Sequence, residues 1–141
     1  MKTVVTGVIG VDAHIIGNRI VQKAMEGIGL KVVSLGALTP AEEFIGAAVE
    51  TDAAAIAISS LYGQAEIDCL GFRGKCLEAG LDGVRLYIGG NLMVGAHSLE
   101  EARALYMSPS YGFDRVYPAA HTTLEQFLED VKRDLGLDGA L

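Results

Sequence analysis

The sequence predicts an α/β fold built on a doubly wound, five-stranded parallel sheet, and two observations carry that expectation. Short apolar runs rich in Val and Ile alternate with longer segments of helical periodicity, the pattern of a parallel sheet covered by helices. Glycine supplies 18 of the 141 residues, well above a typical share of about 7%. Many of these glycines stand with polar residues just past the first, third and fourth apolar runs, which assigns the excess to one edge of the sheet.

The strands are expected at 3–9, 31–35, 54–59, 84–88 and 115–117. Between the first two, Ile20, Val21, Ala24, Met25 and Ile28 mark one face of a helix over 17–29. The second helix carries Phe44, Ile45, Ala48 and Val49 on its apolar face. It opens on Thr39-Pro40-Ala41-Glu42, a capping hydroxyl, a first-turn proline and a capping-box carboxylate in order. A third helix is expected over 66–79, and Ser98-Leu99-Glu100-Glu101 repeats the capping box. Residues 107–112 read as a surface loop. The closing helix follows Thr122-Thr123-Leu124-Glu125, with Leu124, Phe127, Leu128, Val131 and Leu135 inward and Glu125, Glu129, Asp130, Lys132 and Arg133 outward.

Residues 1–141 are long enough for one full core and too short for two ordinary domains, so one domain is expected. Five strand and helix units suggest the flavodoxin-like (Rossmann-like) strand order 2-1-3-4-5. There the chain reverses direction between strands 1 and 3, and a ligand crevice opens at their carboxyl ends. Asp12 and His14 follow strand 1, Ser59-Ser60-Leu61-Tyr62-Gly63 ends strand 3, and Gly89-Gly90-Asn91-Leu92-Met93-Val94-Gly95 follows strand 4.

Eleven basic against 18 acidic side chains give a net charge of -7, which repels phosphate backbones and anionic lipid surfaces. Nucleic acid and membrane are therefore not expected as partners. No apolar run approaches the roughly 18 to 20 residues of a membrane span, and the start has no cleavage-site pattern, so a cytoplasmic location is expected. Cys69 and Cys76 form neither a Cys-x-x-Cys pair nor a disulfide framework and read as packing residues.

The chemistry concentrates in Asp12-x-His14-x-x-Gly17. An imidazole with a carboxylate two residues earlier suits a metal-ligating His whose other nitrogen is held by an acid. Counting from Gly17, 41 residues intervene before Ser59-x-Leu61, and from Leu61 another 27 before Gly89-Gly90. These elements and spacings resemble the cobalamin-binding signature Asp-x-His-x-x-Gly, Ser-x-Leu, Gly-Gly of the mutases and methionine synthase. The resemblance extends further. Gly7-Val8-Ile9-Gly10, the run from Ser59 to Cys69, Gly89-Gly90-Asn91 and Gly112-Phe113-Asp114-Arg115-Val116-Tyr117-Pro118 resemble the small, cobalamin-binding subunits of glutamate mutase (methylaspartate mutase). The chain departs from them after Tyr117-Pro118, where Ala119-Ala120-His121-Thr122 replaces the usual proline, glycine and threonine.

The resemblance implies adenosylcobalamin bound base-off, its nucleotide tail displaced from cobalt and buried beside the sheet. His14 would be the lower axial cobalt ligand and Asp12 its orienting partner. Val11, Ala13, Ile15 and Gly17 would complete the first loop, Ser59, Ser60 and Leu61 the wall after strand 3, and Gly89, Gly90, Asn91, Leu92, Met93, Val94 and Gly95 the closing loop, with Tyr117 and Pro118 beside the last strand. The activity implied is the interconversion of L-glutamate and threo-3-methylaspartate, with substrate held by a separate large barrel subunit in a heterotetramer of two small and two large subunits. Substrate handling elsewhere has an independent argument. A dicarboxylate wants clustered arginines, whereas Arg19, Arg73, Arg85, Arg103, Arg115 and Arg133 are scattered one per element.

The three-part signature by itself leaves open a corrinoid module of another B12-dependent mutase or a methyltransferase. A signalling receiver with Asp12 as phosphate acceptor fits poorly, because strand 3 ends in Ser59-Ser60 where such a domain wants an acid.

Overall fold

The computed structural model describes residues 1–10, 16–60, 65–90, 92, 99–119 and 122–137. The strands are β1 (Thr3–Val8), β2 (Lys31–Ser34), β3 (Ala55–Ser60), β4 (Arg85–Gly90) and β5 (Arg115–Pro118). They form one sheet in the order β2-β1-β3-β4-β5, with every neighbouring pair parallel, as the sequence predicts. The helices are α1 (Ile16–Gly27), α2 (Ala41–Thr51), α3 (Ala65–Asp68), α4 (Phe72–Glu78), α5 (Leu99–Tyr106) and α6 (Leu124–Asp134).

Strand side chains alternate between two cores. Val4, Ala55, Ala57, Tyr87 and Tyr117 pack with Met25 of α1 and with Phe127 and Val131 of α6. Val5, Ile56, Ile58, Leu86, Ile88 and Val116 pack with α2, α4 and α5 through Phe44, Phe72 and Tyr106. The two faces differ in bulk. Towards the carboxyl ends of the strands, the α1/α6 side receives Thr6, Ala57, Ser59 and Gly89, all small, whereas the α2/α4 side is filled by Ile and Phe.

Several local expectations are corrected. The helix expected over 66–79 is two, because Gly71 takes φ +76° and the loop over 108–112 docks into the break: the Gly71 N–H donates to Ser110 O (2.7 Å), the Arg73 N–H to Tyr111 O (3.1 Å) and the Tyr111 hydroxyl to Glu66 O (2.8 Å). Thr39 does not cap α2. Its backbone is drawn onto the sheet edge by the Thr39 N–H to Val8 O (3.0 Å) and the Gly10 N–H to Thr39 O (2.8 Å), and its hydroxyl turns back to the Leu35, Gly36 and Ala37 carbonyls. Pro40 stands at the N-cap without a side-chain cap.

The capping box of α6 lies one residue later than expected. Thr123 Oγ1 accepts from the Gln126 N–H (3.1 Å) and Gln126 Oε1 accepts from the Thr123 N–H (2.8 Å), while the Thr122 hydroxyl donates to Pro118 O (2.8 Å). Ile20 and Val49 are exposed, not inward. Ser98 lies outside the described residues. Cys69 and Cys76 are buried free thiols, and burial pushes the Cys76 thiol up to about 11. Among the described residues no helix is long and apolar enough to cross a membrane.

Candidate functional site

The carboxyl ends of β1, β3, β4 and β5 meet in the register Val8↔Ser59, Ser59↔Gly89 and Gly89↔Tyr117. Ser59 is therefore central in the sheet, at the crevice expected from the strand order. Behind it, between the sheet and α1/α6, lies a cavity of about 270 Å³. Its sheet wall is Thr6, Ala57, Ser59, Gly89 and Gly90, its helical wall Val21, Leu124 and Phe127, and its far side Tyr87, Tyr117, Ala119 and Thr122. The volume is just under the roughly 300 Å³ at which ordinary small-molecule sites begin. It suits one flat heterocycle and is too small for a macrocycle.

The cavity exists because the sheet supplies almost no side-chain volume there. Gly90 is required twice over: its φ is +105°, and a Cβ would run into the Ser60 backbone, whose carbonyl carbon and nitrogen would stand 2.9 and 3.1 Å away. A Cβ on Gly89 would press on Tyr117 O at 3.3 Å. The aromatic floor is rigid, with the Phe127 ring edge-on to Tyr117 (5.1 Å) and Tyr87 (5.7 Å). The Tyr87 and Tyr117 hydroxyls donate to Asp134 (2.8 Å) and Asp130 (2.7 Å). Burial raises both phenols above their ordinary range, so they stay protonated donors.

A buried polar group backs the sheet wall. Asn18, in the first turns of α1 and fully buried, directs its two Nδ2 protons to Thr6 Oγ1 (3.0 Å) and Ser59 Oγ (3.2 Å), with Gly7 O at 3.4 Å sharing one of them. Thr6 in turn donates to Ala57 O (2.8 Å).

Of the expected site residues, Ser59, Gly89, Gly90 and Tyr117 line this cavity. Ser60 and Pro118 are buried beside it, where Ser60 supplies the backbone that Gly90 accommodates. Leu92 is buried in the core on the α2/α4/α5 side. Gly17 lies in the first turn of α1. Val11, Asp12, Ala13, His14, Ile15, Leu61, Asn91, Met93, Val94 and Gly95 lie outside the described residues.

Sequence reading missed Thr6, Asn18, Ala57, Tyr87 and Phe127 as site residues. A signal existed for Asn18: with Val21, Met25 and Ile28 it falls at helical spacing on the inward stripe, where a polar side chain needs a partner.

The fold is of the doubly wound class, and the family comparison makes it a cobalamin-binding domain. The chain matches the model of the B12 binding domain over residues 2–128. A solved cobalamin-binding protein from Desulfitobacterium hafniense DCB-2 has the same fold, with a TM-score of 0.75 at 19% identity over 94% of this chain and 58% of that one. Closer relatives narrow the assignment. The chain is 49% identical to the glutamate mutase sigma subunit of Clostridium cochlearium over 97% of its own length and 98% of the relative's. It is 52% identical to glutamate mutase sigma subunit 2 of Haloarcula marismortui, over 96% and 89%. The chain belongs to the family of glutamate mutase sigma subunits.

Proposed function

We propose that residues 1–141 act as one domain that holds adenosylcobalamin base-off for glutamate mutase. In this reading His14 is the lower axial ligand of cobalt, Asp12 orients its imidazole, and the displaced nucleotide tail enters the cavity behind Ser59. The cavity is the observation that carries the reading, because it offers one polar hydroxyl at the strand end, apolar walls and no room for a macrocycle. Bound there, the cofactor supplies a cleavable cobalt–carbon bond. The chain's own residues bind the tail, orient the imidazole and exclude water.

Pro118 and Ser60, both buried, buttress the walls of that cavity, whereas Leu92, expected to bind the cofactor, packs into the core on the other face of the sheet. Turnover of L-glutamate to threo-3-methylaspartate then needs a large subunit, in a complex of two small and two large chains in the cytoplasm. The arginines support that division of labour. Arg73 is committed to Gly112, Val84 and Asp114, and Arg115 to Asp134 and Asp130, so neither is left for a substrate carboxylate.

The test pairs spectroscopy with turnover. With nitrogen-labelled histidine, the parent chain with bound cobalamin reduced to the Co(II) state shows histidine-nitrogen coupling to cobalt in spin resonance, and His14→Ala abolishes it. The isolated chain binds adenosylcobalamin without mutase turnover until the large subunit is added. Coupling that persists in the variant, or turnover by the small chain alone, overturns the reading.

A further inference from the structure

Asn18 lies outside the cavity lining and in none of the motifs that assign the cofactor. Yet it is the group that decides which way the Ser59 hydroxyl faces. Its two amide protons face Thr6 Oγ1 and Ser59 Oγ, with Gly7 O sharing one of them, and the chemistry of these partners fixes the amide: Gly7 O can only accept, and the Thr6 proton is already spent on Ala57 O at 2.8 Å. An amide turned the other way would set its oxygen against the Gly7 carbonyl and a hydroxyl with no proton to offer. Ser59 Oγ, 3.2 Å from the same nitrogen, is thereby made an acceptor on its inner side. A serine hydroxyl has one proton, and among the described residues no acceptor takes this one, which leaves it to the cavity that Ser59 lines.

The Asn18 oxygen points to the same role. It is fully buried and has no hydrogen-bond partner among the described residues, a costly state for an amide. An amide kept at that cost is kept for its nitrogen.

We infer that Asn18 is a positioning residue that presents the Ser59 hydroxyl to the cavity as a donor, so that the site selects cobamides whose tail base carries an unprotonated ring nitrogen. The inference rests on the proposed burial of the tail in this cavity, and adds to it a specificity and the residue that sets it. An acceptor nitrogen completes the chain Asn18 to Ser59 to base. A tail without one, such as a phenol, leaves the Ser59 proton unpaired.

The experiment compares the affinity of the chain for adenosylcobalamin with that for the adenosyl cobamide carrying a phenolic tail, in the parent, Asn18→Ala, Ser59→Ala and the double variant. The change in the ratio between variants cancels whatever a base costs to leave cobalt. One hydrogen bond corresponds to about a fivefold effect. Ser59→Ala lowers the cobalamin preference by about that factor, Asn18→Ala does nearly the same, and the double variant adds less than about twofold to either. Asn18→Leu, close in shape and free of the unpaired oxygen, is the companion variant should the alanine chain not fold, and is expected to lower the ratio equally. If both Asn18 variants weaken the two cobamides in proportion, Asn18 is only structural and the inference is wrong. If the parent binds neither cobamide, the cofactor reading itself fails, which is a distinct result.

Discussion

The two edges of the sheet are held by different means. At the amino-terminal edge, Arg73 reaches from α4 to Gly112 O (2.9 Å), Val84 O (2.9 Å) and Asp114 (2.8 Å), and Asp114 also accepts the Leu86 N–H (2.8 Å). Arg115 grips Asp134 in a two-pronged pair at 2.7 and 2.9 Å, and Lys2 ties down Leu135 O at 2.7 Å. At the carboxyl edge the central strands end in Ser59-Ser60 and Gly89-Gly90, and hydroxyls, an amide and missing Cβ atoms do the work. Charge-assisted bonds lock one edge, and small residues hollow the other. A doubly wound sheet can therefore be stable and still offer a cavity, because charge-assisted bonds tie one end of the strands while small residues leave space at the other.

Substitutions can break or sharpen that contrast. The largest expected effect is at the hollow edge, where a missing Cβ both opens the cavity and lets β3 and β4 approach. Gly90→Ala meets both a disallowed φ and the Ser60 backbone, so it should cost about 3 kcal/mol and lower the melting temperature by about 10 °C. Calorimetry of the cofactor-free chain would show it; an unchanged melting temperature would mean that β3 and β4 do not approach this closely.

At the locked edge, Asp114→Ala leaves Arg73 and the Leu86 N–H without their acceptor and should cost about 2 kcal/mol in urea unfolding. Cobalamin affinity of the folded chain should stay within about twofold. A large loss of affinity at undiminished stability would erase the distinction between the edges.

The smallest effect is the pH response of the Arg115–Asp134 pair. The hydrogen bond from Arg115 holds the Asp134 carboxyl below its usual range in the folded chain. Its stabilisation is thus present above the unfolded pKa, about 4, and is lost as pH falls through the lower folded value. Asp134→Asn should cost about 1 kcal/mol at pH 7, and the gap between variant and parent should narrow as pH falls below the unfolded pKa of about 4. A gap that is constant with pH would assign the loss to packing.

Much of this was legible before any coordinates. The strand order followed from five Val- and Ile-rich runs separated by helical segments, since a parallel sheet buried on both faces leaves few other layouts. Ser59, Gly89 and Gly90 could be named because hydroxyls and glycines cluster past the strand ends near the expected switch-point crevice, whereas Tyr117 was implied only by the family resemblance. Local signals misled where a tertiary contact outbid them. Thr39 has a capping residue's identity but is claimed by the edge of β1. The 66–79 segment has helical periodicity but yields at Gly71 to a loop some 40 residues later in the chain. Ile20 is apolar at helical spacing, yet the inward stripe of α1 runs through Asn18, Val21 and Met25.

By itself the sequence determined the layering, the strand order and the edge at which the cavity lies. These depend on periodicity and on chain connectivity, both of which are written along one dimension. Only the tertiary structure decided that the small residues Thr6, Ala57, Ser59 and Gly89 coincide on one face to leave a cavity, and that Asn18 bridges β1 and β3 behind it. Cavities and hydrogen-bond direction depend on which side chains from distant segments share a volume, and no spacing along the chain encodes that.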